Sequence, residues 1–79
     1  MKELQVIFDT IRDVEQFVRI ATAAVGSVRV SLGERVTNGK SIMGLITMGF
    51  GKPLTVTFEG EESARLAFMR EIAVYSPNR

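Results

Sequence analysis

The sequence contains no histidine, no cysteine and no tryptophan. Without histidine it lacks the side chain that most often serves as general base or nucleophile near neutral pH. Without cysteine it has no thiol nucleophile and no disulfide, and with both residues missing it has no His/Cys zinc site. A cysteine-free chain is redox-silent in any compartment. No stretch approaches the roughly 18 apolar residues that a bilayer crossing requires. Met1–Thr10 alternates polar and apolar residues and carries Glu3 and Asp9, which is not a signal-peptide pattern. Charge of one sign is not in excess either: 10 Lys plus Arg stand against 9 Asp plus Glu, a net +1. Nucleic-acid binders usually carry a clear basic excess, and here no aromatic residues interleave with the scattered arginines.

What is present is a globular mixture. The chain has 79 residues, 46% hydrophobic and 24% charged, which bounds it to one domain over residues 1–79 stabilised by hydrophobic packing. A cytoplasmic protein that does not insert in membranes is the expectation.

The hydropathy pattern reads as β-α-β-β-α-β-α. Leu4, Val6 and Phe8 alternate with polar neighbours in a first strand. Thr10 and Asp13 either form a capping pair or Asp13 is itself the N-cap of a helix, in which Val14, Phe17, Val18, Ala21, Ala24 and Val25 share a face and which Gly26 ends as a left-handed cap. Val28, Val30 and Leu32 mark a second strand, Gly33-Glu34 a two-residue turn, and Arg35 to Asn38 a short third strand. Ser41 caps a short helix from Ile42 to about Met48. Pro53 opens a fourth strand with Leu54, Val56 and Phe58 on one face. A third helix starts at Glu61-Glu62-Ser63 and runs through Leu66, Phe68 and Ile72 to about Tyr75, before a frayed Pro77-Asn78-Arg79 end. Four strands and three helices in this order predict an α+β open-faced sandwich, an antiparallel sheet with all helices on one face and the last strand slotted between the first two.

Candidate chemistry is sparse. Asn38-Gly39-Lys40-Ser41 ends like a phosphate-binding loop, but Glu34 stands where that motif needs its first glycine. Asp9, Asp13 and Glu15, and likewise Glu59, Glu61 and Glu62, read as acids complementing helix dipoles. No nucleophile–base pair and no metal cluster is visible, so neither an enzyme nor a cofactor is expected. The informative segment is Ser41 to Phe50, apolar nearly all round. If Leu45 packs inward in a two-layer fold, Ile42, Met43 and Ile46 cannot all be buried with it. An outward Ile/Met surface of this kind is a candidate docking patch. The same pattern also suits a helix packed under a loop or in a homodimer.

Lys40-Ser41-Ile42-Met43-Gly44-Leu45-Ile46-Thr47-Met48-Gly49 resembles the regulatory-serine segment of HPr, the histidine-containing phosphocarrier of the bacterial sugar phosphotransferase system. The resemblance extends over most of the chain and implies the HPr-like βαββαβα sandwich. The family's active histidine lies at the start of the first helix in a Gly-Ile-His-Ala-Arg-Pro-Ala-like stretch. Here that stretch reads Thr10-Ile11-Arg12-Asp13-Val14-Glu15-Gln16, with Arg12 at the histidine's place. An arginine stays protonated and has no free lone pair with which to accept a phosphoryl group. The resemblance therefore implies a family member without phosphocarrier activity, regulatory through phosphorylation of Ser41. Its expected partners are HPr kinase, phosphotransferase-system enzymes or a catabolite regulator, and Ile42, Met43, Ile46 and Met48 are its expected contacts. In the family, the two regions matching Arg12 and Ser41 lie close together on one surface. A phosphocarrier by homology only, or an unrelated interaction or dimerisation module, are the alternatives. Arg12 binding a phosphate or carboxylate through its paired donors also stays open.

Overall fold

The strands form wherever β-favouring residues alternate, and the helices wherever apolar residues recur at three and four. The computed structural model describes residues 3–77. In chain order the elements are β1 (Glu3–Val6), α1 (Ile11–Ala23), β2 (Ser27–Leu32), β3 (Arg35–Asn38), α2 (Ile42–Met48), β4 (Leu54–Glu59) and α3 (Glu62–Ile72), the last continued by a 3-10 turn over Ala73–Tyr75. The sheet runs β1-β4-β2-β3 with every pair antiparallel. β4 therefore lies between β1 and β2, opposite Leu4 through Val56 and opposite Val28 through Phe58. This is the α+β sandwich that the pattern predicts.

The inward residues of the strands are Val6, Val28, Val30, Leu54, Val56 and Phe58, all buried. The three helices cover them with Val14, Phe17 and Ala21 from α1, Leu45 and Met48 from α2, and Phe68, Met69 and Ile72 from α3. Phe17 is the centre of this layer. Its ring makes edge contacts with Phe8 at 5.2 Å, Phe68 at 6.0 Å and Tyr75 at 6.4 Å between centroids. Phe58 stacks on Phe68 at 5.2 Å, which joins the sheet to α3. Such aromatic pairs contribute about 0.5–1.5 kcal/mol each beyond the area they bury.

Three local expectations change. Val25 is 83% exposed and lies outside α1, which stops at Ala23 with Ala24 extended as its cap. Gly26 is not left-handed. It is a point of close approach, because a Cβ there would sit 2.4 Å from the Phe58 ring. Leu66 is 46% exposed, since it lies two residues from Phe68 and so about 200° around α3 from the buried stripe. Of the frayed end, Asn78 and Arg79 lie outside the described residues.

The turn between β2 and β3 sets a register with consequences for α2. Gly33 has φ +62° and no other residue of the turn is left-handed, as a two-residue turn with glycine first requires. Leu32 consequently pairs with Arg35 and Val30 with Thr37. Side chains alternate along a strand, so Arg35 and Thr37 share the helix-covered face while Val36, 57% exposed, faces the open side.

Replacing the hub is expected to be far more damaging than replacing the exposed valine. In urea unfolding, Phe17→Ala should lose about 3–5 kcal/mol and Val25→Ala less than about 0.5 kcal/mol.

Candidate functional site

Two local structures carry the residues singled out by the sequence, one at each end of α2. The first is the start of α1. Thr10 is its N-cap and Asp13 its partner: Thr10 Oγ1 accepts from the Asp13 amide at 3.3 Å, and Asp13 Oδ2 accepts from the amides of Asp9 at 2.9 Å and Thr10 at 3.4 Å. This reciprocal box settles the choice between the two N-cap assignments and engages the Asp13 carboxylate in holding the helix start. Arg12 stands exposed in the first turn, with no hydrogen-bond or ion-pair partner among the described residues. Behind it, the Tyr75 hydroxyl donates to Gln16 Oε1 at 3.1 Å. Burial pushes the Tyr75 phenol above its ordinary 10.0, and the negative charge of Asp13 adds to the shift.

The second is α2 and the turn before it. The Gly39 amide donates to the Val28 carbonyl at 2.8 Å, the Lys40 amide to Asn38 Oδ1 at 2.8 Å and the Ser41 amide to the Asn38 carbonyl at 3.0 Å. These bonds turn the chain sharply out of β3. Ser41 then caps α2, its Oγ accepting from the Gly44 amide at 3.1 Å. The hydroxyl is half-buried and acts in this bond only as acceptor. Gly44 sits directly over β3, where an added Cβ would lie 2.0 Å from Thr37 Oγ1. A glycine here lets the helix settle close to the strand.

Around α2 the side chains divide by helix geometry. Leu45 and Met48 are three apart and share the buried stripe. Met43 is 76% exposed, Ile42 is 37% exposed and Ile46 is half-buried. Met48 is thus a correction: it is only 2% exposed and belongs to the core, not to the patch. The outward apolar surface gains Phe50 instead, at 41% exposure in the loop after the helix. Sequence reasoning passed over Phe50 because it lies beyond the helical repeat. Ile11, 52% exposed beside Arg12, was hidden by its place in the first turn of α1.

The Gly51 amide donates to the Phe8 carbonyl at 2.8 Å, so the loop leaving α2 meets the start of α1. The turn entering α2 is instead tied to Val28, just beyond the end of α1. Arg12 and Ser41 therefore flank opposite ends of α2, whose seven residues rise about 10 Å.

Two open depressions lie among the described residues. One of about 380 Å³ lies on the uncovered sheet face between Arg29, Val36, Lys40 and Glu59, and another of about 390 Å³ lies beside Asp9 and Tyr75. Among the described residues no three acidic side chains are grouped to hold a metal ion, and no helix is long and apolar enough to cross a membrane.

Comparisons with known proteins agree with this arrangement. The family model described as the PTS HPr component phosphorylation site matches residues 10–75. Among solved structures, HPr-C-His from Thermoanaerobacter tengcongensis is 26% identical with a TM-score of 0.74, over 95% of this chain and 94% of that one. The catabolite repression protein Crh of Bacillus subtilis, described as a domain-swapped dimer, is 25% identical with a TM-score of 0.69, over 89% of this chain and 80% of that one. The phosphocarrier HPr of Bacillus anthracis, 23% identical with a TM-score of 0.74 over 94% of both chains, shares the fold. No curated protein sequence matches the chain.

Two measurements check the assignments of this site. Met48→Ala is expected to lose about 2–5 kcal/mol in chemical denaturation, whereas Met43→Ala stays within about 0.5 kcal/mol of the parent. The second concerns pH. Because the fold raises the Tyr75 pKa, the neutral phenol is the favoured form. Its contribution is complete below pH 10.0 and is lost as pH rises from there through the raised folded value. Tyr75→Phe should remove that alkaline loss in thermal melts recorded across the range.

Proposed function

The chain belongs to the HPr family of the sugar phosphotransferase system, and from that membership we propose that it is a regulatory docking protein without histidine phosphocarrier activity. Proteins of this family carry phosphoryl groups and are not enzymes. The observation that carries the proposal is a pairing of loss with retention. The chain has no histidine anywhere, yet Ser41 still caps a helix that presents Ile42, Met43 and Ile46.

Phosphocarrier chemistry needs a nitrogen lone pair that attacks phosphorus and later releases it. The guanidinium of Arg12 keeps its proton at any physiological pH and offers none. Asp13, the nearest carboxylate in sequence, is engaged by the amides of Asp9 and Thr10. Ser41 is differently placed. Its oxygen can attack the γ-phosphorus of ATP under a kinase's general base, with ADP leaving and the hydroxyl proton passing to that base. The product places about −2 charge beside the apolar face of α2. A modification there changes the surface a partner reads without entering the core.

In this reading the chain works in the cytoplasm. Its partners are an HPr kinase, which modifies Ser41, and a phosphotransferase-system enzyme or catabolite regulator, which docks on Ile42, Met43 and Ile46. The likeness to Crh, a catabolite repression protein, is in keeping with the regulatory branch, and the absence of histidine is what favours it over the carrier branch. The dimer described for Crh also keeps self-association in view as a second reading, tested by light scattering of Met43→Asp against the parent.

The test is incubation with HPr kinase and ATP, with phosphate mapped by mass spectrometry. Modification at Ser41, and none in Ser41→Ala, is the expected result. An unmodified Ser41 reduces the likeness to shared ancestry. In parallel, phosphoenolpyruvate with the first enzyme of the system should leave no acid-labile phosphoryl group on this chain, and its appearance would restore the carrier reading.

A further inference from the structure

A cation on the covered face of an edge strand is unusual, because that face normally buries apolar side chains. The two-residue turn forces it here by pairing Arg35 with Leu32. The strand gives Arg35 no carboxylate within ion-pair distance among the described residues. Its guanidinium reaches across to α2 instead, where Nη2 donates to the Thr47 carbonyl at 2.9 Å. Thr47 is in the last turn of the helix, and that turn contains no basic residue of its own. Carbonyls at a helix C-terminus have no intrahelical donor and carry the negative end of the dipole, so a cation from outside satisfies both needs.

The rest of α2 explains why this bond matters. At seven residues it is far below the length at which a helix holds itself together in water. Its N-terminus is closed by Ser41, and Gly44 lets it lie against Thr37 of β3. Arg35 lies on the same face of that strand, two residues before Thr37. One edge strand thus seats the helix at its middle and closes its far end.

We infer that Arg35 is a positioning residue for the α2 surface, latching the C-terminal turn of the helix to β3 and so holding Ile42, Met43 and Ile46 in the orientation a partner meets. The inference rests on the docking role proposed above for that surface. Arg35 touches no partner itself. It acts through the backbone of Thr47. Lysine keeps the charge and one donor, whereas glutamine loses the charge and shortens the reach.

The experiment compares the parent with Arg35→Gln and Arg35→Lys by amide hydrogen exchange and by kinetics of Ser41 phosphorylation. In Arg35→Gln, the amides from Leu45 to Gly49 should exchange about threefold to fivefold faster, as expected for loss of a cation at a helix C-terminus. Amides of β2 and β4 should keep their parent rates. The KM for phosphorylation should rise by about the same factor with kcat unchanged, and Arg35→Lys should recover most of both losses. Unchanged exchange in α2, equal acceleration in the sheet, or faster α2 exchange with an unaltered KM would each overturn the inference. A parent chain that takes no phosphate on Ser41 overturns the docking role itself, and the exchange rates then decide the latch independently.

Discussion

Packing in two layers gives each helix one side to bury, and α2 fills its single buried stripe with Leu45 and Met48. Nothing in the fold stands above the helices to meet a second stripe. Ile42, Met43 and Ile46 are left outward, or partly so, by geometry alone. The same limit explains why α3 leaves Leu66 in solvent. Apolar residues on the outside of a small domain are ordinary singly. Here they cluster on one short helix with Phe50 following it, next to the serine that caps it.

The start of α1 shows the opposite treatment. Thr10 and Asp13 satisfy one another and the helix start, and Arg12 projects without a partner among the described residues. The family match spans this helix start, and the sequence contains no histidine. A guanidinium cannot stand in for an imidazole acceptor, since it stays protonated and its nitrogens have no free lone pair to attack phosphorus. An arginine at this position costs the fold nothing, because Arg12 is exposed and lies outside the core.

Local signals were read correctly where a few neighbouring residues settle the outcome. Ser41 caps α2 because its hydroxyl needs only the amide of Gly44. The Gly33-Glu34 turn follows from glycine's access to positive φ. Readings that depended on distant residues fared differently. Gly26 looked like a helix stop, yet its lack of a side chain answers to the Phe58 ring. Met48 looked like surface until the sheet beneath α2 was in place. Arg35 looked like one of several solvated arginines, because its acceptor, the Thr47 carbonyl, is a backbone atom and leaves no trace in side-chain pattern.

The order of elements, the cap at Ser41 and the lack of any histidine are properties of the chain as written, since each depends on residues close in sequence or on composition. Which face of α2 looks outward and how Arg35 meets its last turn were decided only by tertiary structure. Those depend on strand register and on β4 entering between β1 and β2. Register turns a strand's side chains to one face or the other as a set, so no inspection of β3 by itself could have brought its exposed arginine to the last turn of the helix.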